Sequence, residues 1–156
     1  MGRRLCVLGA AISMVALAIG VISPALGSSG DDDKQRTFRV TAVITELSFV
    51  DVGDQGASLG DEIVFSNKLL KGGKEVGHEG AVCTTVSLER QEAQCIATFS
   101  FQGGQITAQA LVRLGDPAPY AVAITGGTGK YEGAEGEIRV RPVSETSGIH
   151  IFRLED

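Results

Sequence analysis

From Thr37 onward apolar and polar residues alternate, and no long segment carries a helical stripe. Runs at 38–50, 61–66, 80–88, 94–101, 105–114, 120–125, 136–143 and 149–154 follow period two. That is the period of strands, whose successive side chains point to opposite faces. Turn chemistry separates the runs. Gly103-Gly104 is a two-residue hairpin signal, and Asp116-Pro117-Ala118-Pro119 marks the next connection. Residues 67–70 suit at most one turn of helix. Eight short strands joined by hairpins predict an all-β fold, an eight-stranded antiparallel up-and-down barrel, with a two-sheet sandwich as the alternative. Eight strands enclose room for side chains or one small ligand. The default partner of such an interior is a hydrophobic small molecule.

The densest glycine segment, Ala123-Ile124-Thr125-Gly126-Gly127-Thr128-Gly129-Lys130-Tyr131-Glu132-Gly133-Ala134-Glu135-Gly136, lies between two of these runs. A phosphate-binding glycine loop opens a helix. This one opens Glu137-Ile138-Arg139-Val140-Arg141, which alternates as a strand, and Gly129-Lys130 is followed by Tyr131 rather than Ser or Thr. The segment therefore reads as a tight turn with positive φ angles, where a Cβ would clash.

The first 27 residues change the picture of where the chain works. Arg3 and Arg4 precede an uncharged, apolar stretch to Ile22, then Ser23-Pro24 and the small exit Ala25-Leu26-Gly27. This is the layout of a signal peptide over residues 1–27 and predicts secretion; an uncleaved envelope anchor is the competing reading. Residues 28–36, with Asp31-Asp32-Asp33, read as a disordered acidic leader, and residues 37–156 as one barrel domain. Without residues 1–27 the chain has 12 basic and 19 acidic residues, a net charge of −7, and no Trp. That balance argues against nucleic-acid binding and against stable association with an anionic membrane. Cys83 and Cys95 are the cysteines left, and an exported pair on neighbouring strands suggests a disulfide, with two separate buried thiols as the alternative. No His, Cys or carboxylate spacing suits a metal, and no cofactor motif is present, so neither is expected. His78 and His150 both read as outward-facing.

One face of the first strand holds Phe38, Val40, Ala42, Ile44, Glu46 and Ser48. If that face lines the barrel, Glu46 enters an apolar cavity, where burial raises its pKa and makes it a functional candidate. If a bulge follows Ile44, Leu47 and Phe49 face inward instead and Glu46 meets water. Asn67 follows the apolar Ile63-Val64-Phe65 and stands either at the barrel mouth or in an ordinary turn.

Several segments resemble the allene oxide cyclase barrel family and its dirigent relatives. They are Leu59-Gly60-Asp61 with Phe65-Ser66-Asn67-Lys68-Leu69, then Ala97-Thr98-Phe99-Ser100-Phe101, and the turn beginning Ala123-Ile124-Thr125-Gly126-Gly127. The resemblance implies a barrel around a long unsaturated molecule, with a pocket carboxylate that stabilises a cationic intermediate and a polar group that holds water. It needs no cofactor. On that pattern the catalytic residues are Glu46 and Asn67, and Ala42, Ile44, Ser48, Phe65 and Val112 line the pocket, Val112 near the place of a family Tyr. Cys83 falls at a pocket cysteine. Dimers or trimers occur among the relatives, so a homo-oligomer is an expectation too. Three functions follow: a secreted isomerase or cyclase, a non-catalytic dirigent-like guide of reactive intermediates, and a structural barrel of the cell envelope.

Overall fold

The computed structural model describes residues 36–155, Asp54 excepted. The signal reading and the leader reading lie outside the described residues, except Arg36, which begins the first strand rather than ending the leader. Eight strands run in order: β1 (Arg36–Val50), β2 (Glu62–Lys71), β3 (Lys74–Ser87), β4 (Glu92–Phe101), β5 (Gly104–Arg113), β6 (Tyr120–Gly127), β7 (Glu135–Ser144) and β8 (Ser147–Glu155). Each pairs antiparallel with its neighbour, and β1 also pairs with β8, so the sheet closes. Closure leaves no edge strand, which a two-sheet sandwich could not avoid.

Two local features differ from the sequence expectation. Residues 67–70 continue β2 as strand rather than turning as helix. The β2–β3 connection is Gly72-Gly73, with φ of 58° and 78°, the left-handed pair a tight hairpin demands. The glycine-dense segment does form the β6–β7 connection, around one 3₁₀ turn at Gly129–Tyr131. Gly129 has a φ of 60°, and a Cβ there would collide with the Gly103 carbonyl oxygen, so both backbone angle and space require glycine.

Inward side chains divide the barrel into a filled end and an open end. Phe152, Leu69, Ile106, Ile138 and Leu154 are completely or almost completely buried at the filled end. Phe38 stacks on Phe152 with centroids 4.6 Å apart, and Phe99 and Phe101 meet it edge-on at 5.1 and 5.6 Å. Four large rings fill this end, and the other stays open.

Candidate functional site

The open end holds a cavity of about 390 Å³. Ala42 and Ile44 from β1 and Phe65 from β2 line it. A smaller space of about 50 Å³ lies beneath, lined by Val112, Cys83, Cys95 and Phe99, and shares Phe65, Glu79, Tyr120 and Val140 with the upper cavity. Cys83 and Cys95 are opposite one another on β3 and β4 and are joined by a disulfide. Replacing both with Ala is expected to lower stability by about 2–3 kcal/mol. Urea unfolding of the variant beside the unreduced protein measures it; equal midpoints would show the bond to be dispensable.

The buried carboxylate in this cavity is Glu79, not Glu46; Glu145 also lines it but is exposed. The β1–β2 register shifts between Ile44 and Glu46, leaving Thr45 as the extra residue of a bulge. Beyond it the alternation changes phase. Leu47 and Phe49 turn to the cavity, while Glu46 and Ser48 are exposed and line neither space. Glu46 and Ser48 as pocket residues are therefore corrected by one inserted residue, since a single step in a strand moves every later side chain to the other face.

Glu79 sits on β3 directly opposite Asn67 on β2, and both point inward. Only 4% of Glu79 is exposed. The Asn67 side-chain amide donates a hydrogen bond to Glu79 Oε2 at 2.7 Å. Burial pushes the Glu79 carboxyl up to about 7, and the Asn67 hydrogen bond opposes that shift without overcoming it. Such a group exchanges its proton near neutral pH, the condition for acid–base work.

His150 reads as outward in the sequence but is 94% buried, with Nδ1 3.7 Å from Glu79 Oε2. That is too long for a hydrogen bond. Burial lowers the His150 pKa to about 4, so the ring is neutral at pH 7 and supplies no positive charge to Glu79. Phe99 meets His150 edge-on at 5.8 Å and fixes the ring from below. Tyr120 reaches the same region from β6; burial, then the Glu79 charge, raise its pKa. Asn67 Oδ1 and His150 Nδ1 are buried without a hydrogen-bond partner among the described residues. Two orphaned polar atoms beside a carboxylate mark this spot as built for something other than packing.

His78 is exposed, as expected. Asp61 holds the loop before β2 at the mouth, accepting from the Val52 and Ser58 backbone amides at 3.0 and 2.7 Å and from the Ser58 hydroxyl at 2.8 Å. Those bonds, the Ser58 amide first, keep its carboxyl below the usual range. Among the described residues no group of three His, Cys, Asp or Glu could hold a metal ion.

A model of the allene oxide cyclase barrel-like domain matches residues 36–152. The chain belongs to this family. A solved pyocyanin demethylase is similar at 30% identity, covering 76% of this chain and 99% of that one, with a TM-score of 0.68. Two more distant barrels share the fold. One is a pterocarpan synthase dirigent protein at 18% identity, covering 78% of this chain and 88% of that one, TM-score 0.59. The other is a Diels-Alderase from Streptomyces koyangensis at 13% identity, covering 80% of this chain and 71% of that one, TM-score 0.61. A search among curated proteins finds no match. Within the family barrel of this chain, the mouth cavity brings the buried Asn67–Glu79–His150 group to an opening in the barrel.

Proposed function

We propose that the barrel binds a hydrophobic, conjugated small molecule in its mouth and steers its rearrangement as an isomerase or cyclase. The observation that carries this is Glu79, a buried carboxylate facing the mouth cavity with no cation opposite it among the described residues. Its charge is available to a ligand whose reaction develops positive charge, and a ligand that displaces water from the mouth leaves that attraction weakly screened. Asn67 holds the carboxylate in place. Leu47, Phe49 and Phe65 restrict the ligand to few conformers, which selects among products. The chemistry draws on no cofactor. The apolar leader and the disulfide support action outside the cytoplasm.

A second reading is favoured by the 30% identity to pyocyanin demethylase. In it the same cavity acts on a planar aromatic compound of the pyocyanin kind.

Native mass spectrometry of the protein from its own source identifies a retained ligand, the processed N-terminus and the assembly state. The ligand is then incubated with unchanged protein and with Glu79→Gln, and products are resolved by chiral chromatography. Turnover is expected to fall at least 100-fold in Glu79→Gln while binding persists. Unchanged turnover would sink the mechanism. Product formed only with an added oxidant would make the barrel a guide rather than a catalyst. Pyocyanin is the defined probe for the second reading: loss of its absorbance, blocked by a mouth-filling Leu47→Trp, would favour that substrate.

A further inference from the structure

A second depression, of about 610 Å³, opens at the other end of the barrel, where β1 begins and β2 and β4 end. The mouth chemistry makes no use of it, and the ring cluster of the filled end lies between the two. Phe38, Phe101 and Tyr131 supply aromatic surface to this depression. Arg36, Lys71 and Lys130 surround it, with Glu75 as the acidic member.

Three cations converging in an acidic chain call for an explanation. Among the described residues none of the three forms a salt bridge. Two of them lean on an aromatic ring instead: Arg36 Cζ and Lys130 Nζ each stand 5.2 Å from the centroid of Tyr131. A cation on a ring face keeps much of its water and all of its donors free, so an arriving anion finds hydrogen-bond partners already in position. Lys130 is also held in place by its stem, which runs over Gly103; a Cβ there would meet Lys130 Cδ at 3.0 Å.

We propose that this depression is a second binding site, for an aromatic small molecule bearing one anionic group. Its ring lies against Phe38 and Phe101, and its carboxylate, sulfonate or phosphate is shared by Arg36, Lys71 and Lys130, two of which Tyr131 supports from beneath. Both chemistries are needed. A neutral hydrocarbon leaves the cations unused, and a bare inorganic anion leaves the aromatic surface unused. Glu75 disfavours a ligand with a second negative group. Polyanions are poor occupants as well, because three cations on a chain of net charge −5 make a small footprint for a phosphate backbone.

The test compares two dyes of nearly the same aromatic shape on the full-length protein. One is 8-anilinonaphthalene-1-sulfonate; the other is neutral N-phenyl-1-naphthylamine. The sulfonate is expected to bind with micromolar affinity, at least tenfold more tightly than the neutral dye at low salt, and to weaken as salt rises. Lys71→Met with Lys130→Met keeps both aliphatic stems and should weaken the sulfonate at least tenfold, leaving the neutral dye unaffected. The mouth variant Leu47→Trp should leave sulfonate binding as it was. Sulfonate binding that survives the double Met variant and disappears in Leu47→Trp would assign the dye to the mouth and overturn the proposal. No saturable sulfonate binding at all would overturn it equally. Neither result bears on the role of Glu79, which is judged by turnover.

Discussion

Glu79→Gln is expected to gain about 3 kcal/mol of stability relative to the unchanged protein as pH rises from 4.5 to 7.5. The Glu79 carboxyl moves from an ordinary 4.5 to about 7 on folding. Between those values the folded chain keeps a proton that the unfolded chain has released. The stability from this group is full below pH 4.5 and lost by about pH 7. Gln does not titrate, so the variant escapes the loss. His150 works in the opposite sense: its pKa falls from 6.5 to about 4, so the unfolded chain holds the extra proton and stability rises across that window. In the unchanged protein the two slopes largely cancel from pH 4.5 to 6.5. Glu79→Gln leaves the rising slope of His150, and His150→Gln leaves the falling slope of Glu79. Urea unfolding at four pH values between 4.5 and 7.5 measures both differences, and other titrating groups drop out of the comparison. A Glu79→Gln curve parallel to the parent's would mean that this carboxyl stands in water, and the proposed charge stabilisation would go with it.

Phe152→Ala should cost about 3–5 kcal/mol. Its ring is fully buried and is the common neighbour of Phe38, Phe99 and Phe101. Removing it leaves a cavity that three rigid rings cannot collapse to fill, and the closed sheet around them resists adjustment. Typical domains have about 5–15 kcal/mol in total, so this one change removes a large share. A lower urea midpoint with an unchanged slope is the expected signature. Phe152→Leu should recover much of the loss, because it restores volume. A cost under about 1 kcal/mol would show that the ring cluster is not what closes the lower end. The same cluster supports the space beneath the mouth cavity, since Phe99 lines it and packs against both Phe152 and His150.

Much of the architecture was legible in the chain because strand alternation and turn chemistry are local. Gly103-Gly104 announced its hairpin, and the run 94–101 is close to β4 as it stands. Gly72-Gly73 carries the same signal as Gly103-Gly104 and could have been read the same way; β3 would then have begun near Lys74, with Glu79 inside it. His150 was also within reach. It shares its face with Phe152 and Leu154, while Arg153 and Glu155 share the other, but Ile149 and Ile151 blur the contrast.

The sequence by itself determined eight strands, their order, the glycine turns and a cysteine pair placed to meet, since each follows from residues close along the chain. Only the tertiary structure decided which carboxylate is inside. Two bulges made that choice. The extra residue Thr45 turns Glu46 and Ser48 outward. In the β2–β3 pair the register slips at Val76, so Asn67 faces Glu79, whereas counting from the hairpin alone would pair it with His78. A bulge leaves no reliable mark in composition or period, because it arises where a closed sheet must bend and restagger its strands. The buried acid and its histidine neighbour are products of that closure.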